Sequence, residues 1–237
     1  DAITAPSNGP FRHKKQTGGR GQFAEVYLKV SPGEPGGGLE YSWDIFGGSI
    51  PTNFAPAIEK GIKEKMHDGI LAGYPLEHIT VSITDGKHHD VDSSEAAFKM
   101  AGGRAFADAV SRARPVLLEP IVKLEITIPG HYMGDVSGDL NTRRGRIQGM
   151  DQVGDYQLIR AEMPQAEAAE YSRALTSLTS GEGSYTVEPS HYENVPASLQ
   201  QDLIKAFKPK ADEDWPGFVN SPGPACADGW GLQAARA

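Results

Sequence analysis

The sequence predicts an α+β protein of two domains, the second with the β-α-β-β-α-β order of a ferredoxin-like fold. Three observations predict it. Apolar spacing switches repeatedly between two and about 3.6 residues, so strands alternate with helices. The pattern breaks at Arg114-Pro115, which places a junction there. The six elements after that junction fit within about 70 residues, the scale of one split βαβ unit.

The elements follow in order. Residues 1–10, with Pro6, Asn8, Gly9 and Pro10, lack periodicity and read as a loose lead-in. Gln22–Val30 alternates as a strand, and Leu39–Phe46 is a second. The Pro32–Gly38 run between them reads as a turn, which predicts an antiparallel hairpin. Phe54, Ile58, Ile62 and Met66 form one helical stripe, ended by Gly69 and Gly73. Leu76–Thr84 alternates again, with Ile79, Val81 and Ile83 on one face. A helix from Ser93 to Arg112 carries Phe98, Ala101, Ala105 and Ala109, widened by Phe106 and Val110. Beyond Pro115, Ile121–Ile128 is a strand, Tyr132–Asn141 a short helix, and Arg146–Met150 and Tyr156–Pro164 strands joined at Gly154-Asp155. Ala166–Leu178 is a helix, and Ser184–Pro189 closes the unit. A final helix, Ala197–Phe207, must dock on something, since an isolated helix of that length is marginal. Residues 208–237, with Pro209, Pro216, Pro222 and Pro224, read as a disordered or cloning-derived tail.

Composition removes several function classes. A net charge of −8 argues against a generally basic nucleic-acid-binding surface, though not against a local basic patch. The single cysteine, Cys226, excludes an intrachain disulfide and Cys-rich zinc sites and suits a reducing compartment. No apolar run approaches a bilayer span, and the N-terminus has no signal-peptide pattern. The motifs G-x-S-x-G and H-E-x-x-H are absent, as is any lone cysteine with a plausible base, so no catalytic residues and no metal ligands are assigned.

Three segments carry candidate chemistry. Phe11–Gln22 holds four Lys/Arg and no acid. Its glycines let a partner come close to the backbone, and its cations suit phosphate. It reads either as an RNA-backbone contact or as a solvated hairpin end. The P-loop spacing is missing, and the bases mostly precede the glycines. Asp85–Glu95 contains His88, His89, Asp90 and Asp92. Asp92 and Glu95 have capping-box spacing, which leaves the two histidines for the loop tip. An imidazole there can donate, accept and stack, as RNA contact requires. Asn141–Arg146 ends the first helix of the second domain. Its arginines suit the helix dipole, and Gly145 suits a left-handed cap. RNA contact is the other reading.

These segments resemble the C-terminal part of bacterial translation elongation factor G. The family patterns K-x-Q-T-G-G-R-G-Q-[FY], D-G-x-x-H-x-V-D-S-S-E-x-A-F and Y-M-G-D-V-x-G-D-[LI]-N-x-R-R-G stand here as Lys14–Phe23, Asp85–Phe98 and Tyr132–Gly145. Gly47–Pro51, Leu118–Pro120, Gly181–Tyr185 and His191–Pro196 match as well, so the resemblance spans residues 11–207 in family order.

The resemblance implies a ribosomal-protein-S5-like α/β domain over 11–118 plus 190–207, and a ferredoxin-like domain over 119–189. The C-terminal helix would return to the first domain. It implies a cytoplasmic monomer whose partners are the ribosome, through the small-subunit decoding site and large-subunit RNA, and the transfer RNA–messenger RNA pair, with no membrane. The implied contact residues are Lys14, Lys15, Gln16, Thr17, Gly18, Gly19, Arg20, Gly21, Gln22, His88, His89 and Asp90, with Arg143 and Arg144 on the second domain. His89 falls on the family's translocation-linked histidine. No cofactor is expected in this chain. GTP and Mg belong to N-terminal domains of a longer parent, so the chain itself is expected not to be an enzyme. The implied function is the ribosome-binding part of a translocation GTPase. A recycling or ribosome-protection paralogue is the alternative within the family, and a standalone interaction module the alternative outside it. Two departures stand out. The family's [ILV]-x-Y-R-E-T-[IL]-like first strand has no match in Asp1–Pro10, which predicts an exposed sheet edge. His88 replaces the commoner aromatic.

Overall fold

Alternation in Gln22–Val30 places Ala24, Val26, Leu28 and Val30 on one face, and all four are buried. The structure, a computed structural model, describes residues 1–15, 21–34 and 36–208. Its first half runs β1 (Ala2–Ile3), β2 (Ser7–Lys15), β3 (Gln22–Pro32), β4 (Leu39–Trp43), α1 (Ala55–Asp68), β5 (Ile79–Lys87), α2 (Glu95–Arg112) and β6 (Pro115–Val116). The main sheet has the order β2-β3-β5-β4. Ile79, Val81 and Ile83 of β5 join the buried face, against Ile58 and Ile62 of α1 and Phe98 and Phe106 of α2. The two helices meet through glycines. A Cβ added at Gly61 would lie 2.0 Å from the Lys99 carbonyl oxygen.

Three expectations for this half are corrected. Residues 1–10 are not a loose lead-in. Ala2 and Ile3 pair with Val116 and Pro115, Ile3 is buried, and β2 pairs with β3 from Ser7↔Val30 to Lys15↔Gln22. This polar edge strand carries a glycine because an added Cβ at Gly9 would lie 2.1 Å from the Ala105 carbonyl of α2. The strand expected to be missing is therefore present in another sequence. Next, β3 and β4 do not form a hairpin. The β5 strand lies between them, antiparallel to β3 and parallel to β4, with Leu39↔Ile79 and Trp43↔Ile83 in register. The glycine-rich run still turns the chain, but α1 makes the crossover that parallel pairing needs. Finally, Ser94 rather than Asp92 caps α2. Its side chain accepts the Ala97 N–H at 3.2 Å.

The second half runs β7 (Leu118–Pro129), α3 (Met133–Thr142), β8 (Arg146–Val153), β9 (Tyr156–Pro164), α4 (Gln165–Ala168), α5 (Tyr171–Leu178) and β10 (Ser184–Asn194). All neighbours in the sheet β10-β7-β9-β8 are antiparallel, which is the split βαβ layout. Leu124, Ile126 and Ile128 of β7 pack with Val136, Leu140 and Tyr171 from the helices. The single helix expected over Ala166–Leu178 is two, separated at Ala169-Glu170. The last helix, α6 (Ala197–Ala206), lies at the junction. Gln200 Oε1 accepts the Leu117 N–H at 3.4 Å. The Phe207 ring lies against Gly73, where an added Cβ would be 2.3 Å from its Cε2. The helix thus returns to the first half. The expectation for the tail beyond Lys208 lies outside the described residues.

Candidate functional site

Because β3 runs antiparallel to β2 and β5, the β2–β3 hairpin end and the loop after β5 emerge at one pole of the first sheet. Lys14 and Lys15 are exposed on the final rungs, where Lys14 faces Phe23 and Lys15 faces Gln22. Gln16, Thr17, Gly18, Gly19 and Arg20 fall outside the described residues. Gly21 lies against the histidine loop, since an added Cβ there would be 3.0 Å from the Asp92 carboxylate. Backbone bonds fix the same junction. The Phe23 N–H donates to the Asp92 carbonyl at 2.9 Å. The Ser93 hydroxyl donates to the Phe23 carbonyl at 2.8 Å and accepts the His89 N–H at 2.9 Å.

This latch orients His89. Its Nδ1 accepts the N–H groups of Val91 at 3.3 Å and Asp92 at 3.2 Å. A nitrogen receiving two amide protons carries none of its own, so the neutral ring holds its proton on Nε2. The 3.8 Å approach of Nδ1 to the Asp92 carboxylate is therefore not an ion pair. The ring meets Phe23 edge-on with centroids 6.3 Å apart, and the side chain remains 55% exposed. His88 behaves differently. Its Nδ1 donates to the Ser49 carbonyl at 3.0 Å, and its Nε2 lies 3.4 Å from Asp90, whose side chain is 93% exposed. His88 ties the loop to the segment after β4, while His89 presents a donor.

Sequence reasoning missed the support beneath the tip. Buried His13 bonds Gln22 Oε1 through Nε2 at 2.9 Å. An amide oxygen only accepts, so His13 donates and anchors Gln22. The Arg12 guanidinium sits 5.4 Å from the Phe23 ring centroid and 3.3 Å from the buried Glu25 carboxylate, which also accepts the Tyr27 hydroxyl. That bond holds the Tyr27 phenol above its ordinary pKa. The strand predicted from the sequence starts at Gln22, so Arg12 and His13 fall outside it, and nothing in the sequence announces their cross-strand pairing.

Arg143 and Arg144 lie on the second domain and are engaged within it. Arg143 bonds Asp139 at 2.8 Å and sits 5.8 Å from the Tyr171 ring centroid. Arg144 grips Glu119 with two bonds of 2.8 Å, and that grip raises its pKa further. The left-handed residue closing α3 is Arg144, at φ 57°, not Gly145 as expected. Gly145 is needed for a different reason, since an added Cβ would lie 2.7 Å from the Leu140 carbonyl. Among the described residues, no three His, Cys, Asp or Glu side chains gather as metal ligands would, and no helix is long and apolar enough to cross a membrane.

Comparison with known proteins places this geometry in a family. The family model "Elongation factor G, domain IV" matches residues 1–114, and "Elongation factor G C-terminus" matches residues 116–203. A crystal structure of a protein from Thermus thermophilus is similar, with 44% identity and a TM-score of 0.73 over 86% of this chain. The chain spans 30% of that protein's length. With its first domain matched from residue 1 and its second nearly to the end of α6, the chain belongs to the elongation factor G family of translation factors, of which it carries domain IV and the C-terminal domain.

Proposed function

We propose that these domains are the ribosome-binding end of a GTPase that moves transfer RNA and messenger RNA during elongation, with the latched tip entering the small-subunit decoding site. The observation that carries this reading is the joining of a lysine-bearing hairpin and an exposed histidine donor at one pole of an otherwise acidic chain. Lys14 and Lys15 meet backbone phosphates, and the His89 Nε2–H meets a phosphate or ribose oxygen. Asp90 accepts from a ribose hydroxyl. None of these contacts reads a base, so any codon is tolerated. The negative body limits binding to RNA elsewhere. GTP and magnesium act in the preceding domains of the parent, and this end acts as a rigid wedge. Arg143 and Arg144, each already paired with a carboxylate, are the weaker contact and meet large-subunit RNA through the part of each side chain that stays exposed. The chain works as a monomer in the cytoplasm.

The decisive experiment is His89→Ala in the full-length protein. Translocation should slow while ribosome-stimulated GTP hydrolysis persists. Equal loss of both would assign His89 to folding and remove the reading. Ribosome pelleting of this chain at several salt concentrations supplies the second check, because phosphate contacts weaken steeply with salt. Binding insensitive to salt would favour an interaction module instead.

A further inference from the structure

The same pole bears a third loop, whose Gly47–Pro51 end matches the family pattern but whose Phe46 no motif explains. Residues 44–50 leave β4 beside the last rungs of β5. The Asp44 N–H donates to the Ile83 carbonyl at 2.8 Å, the Ser49 carbonyl receives His88 at 3.0 Å, and Ile50 is buried. Ile45 packs on the core, yet the next side chain, Phe46, is 93% exposed. No other large apolar side chain among the described residues with notable exposure reaches that value. Gly47 and Gly48 follow with φ of 87° and 71°, and an added Cβ on either would meet nothing within 4 Å. The loop therefore holds a bare phenyl ring away from the body with open space beside it.

We propose that Phe46 is a stacking platform for an unpaired nucleobase, a third contact of the tip beside Lys14–Lys15 and His89. The inference rests on the ribosome-facing reading above and names the chemistry of a partner atom set within it. The surroundings decide the ligand class. A protein partner that valued this ring would meet a contiguous apolar patch, as interface cores require. Phe46 instead is followed by Gly47, Gly48 and Ser49, and the apolar residue before it, Ile45, is turned onto the core. A flat base needs only one ring face and clearance around it, which small neighbours provide. Stacking is indifferent to base identity because every base has a π-face, so this contact preserves the tolerance for any codon. It also draws on dispersion and desolvation rather than charge. It thus adds affinity that salt does not remove, complementing the lysines.

The test titrates this chain against small ribosomal subunits at several salt concentrations. Phe46→Ala should weaken binding about tenfold, within the range of base–aromatic stacking, and leave the slope of log affinity against log salt unchanged. Phe46→Tyr should bind like the parent, and Phe46→Leu should lose most of what alanine loses. The paired charge reversal Lys14→Glu/Lys15→Glu should instead reduce the slope. A photo-crosslinking phenylalanine analogue at position 46 should label ribosomal RNA. Undiminished binding of Phe46→Ala beside weakened binding of the lysine variant overturns the stacking proposal and leaves the ribosome reading standing. Full retention by Phe46→Leu, or crosslinking to ribosomal protein, overturns it in favour of an apolar protein contact. Absence of binding by the parent chain overturns both.

Discussion

Replacing Ser93 by alanine should loosen His89 without unfolding the domain. The hydroxyl makes two bonds, donating to the Phe23 carbonyl at 2.8 Å and accepting the His89 N–H at 2.9 Å. Each is worth about 0.5–1.5 kcal/mol net. Water reaches the exposed His89 and recovers part of that, which leaves about 1–2 kcal/mol for the pair. The loop keeps two backbone bonds, Phe23 N–H to the Asp92 carbonyl and Ser93 N–H to the His89 carbonyl. The loss is therefore local. It corresponds to opening roughly 5- to 30-fold more frequent. Amide hydrogen exchange reads this directly. The His89 amide should lose protection by that factor, while core amides of β5, such as Val81, keep theirs. Ser93→Thr, which retains the hydroxyl, should restore most of it. Unchanged exchange at His89, or an equal loss of protection throughout the domain, would refute the argument that Ser93 is the latch.

Other outcomes follow from the same geometry. Gly61→Ala places a Cβ 2.0 Å from the Lys99 carbonyl oxygen. The gain in helix propensity, about 1 kcal/mol, is outweighed by forced separation of α1 and α2, so urea unfolding should show a net loss of about 1–3 kcal/mol. A neutral result would mean the helices slide apart freely. Arg144→Met strands the half-buried Glu119 carboxylate and should cost about 1–3 kcal/mol, with part recovered in the double variant with Glu119→Gln. Failure of that rescue would show the arginine acting through packing alone. Arg146, then His191, hold the Glu193 carboxyl below its ordinary pKa. A lowered carboxylate contributes stability that is complete above the unfolded value and lost as pH falls through the folded one. Glu193→Gln should therefore flatten the stability profile only below about pH 4. Flattening near neutrality would contradict the assignment.

Much of this architecture was legible because burial follows period. Ile79, Val81 and Ile83 on a two-residue repeat, and Phe98, Ala101, Ala105 and Ala109 on a helical one, are all fully buried. The ferredoxin-like element order was readable for the same reason, since each element announces itself by its own period, whereas the sheet order β10-β7-β9-β8 lies beyond what periodicity shows. What misled was pairing across distance. A glycine-rich turn looks local whether or not a later strand inserts, and only the register Leu39↔Ile79 reveals that β5 does. The β2 strand was obscured because an edge strand carries polar residues, and because Gly9 answers to helix α2 rather than to its own strand. The tip divides in the same way. His89 stood out by chemistry, whereas the duties of Ser93 and His13 exist only once Phe23 and Gln22 are brought beside them.

The nine paired positions of the β2–β3 ladder run lengthwise from the body to the hairpin end. A thrust delivered at that end drives both strands the same way along their axes, so the rungs that join β3 to β5 take it in shear and share it instead of unzipping singly. The close seat of Gly9 under Ala105 passes the load sideways into α2. The protrusion thus resists buckling as a braced beam does, through the direction in which its bonds are stressed.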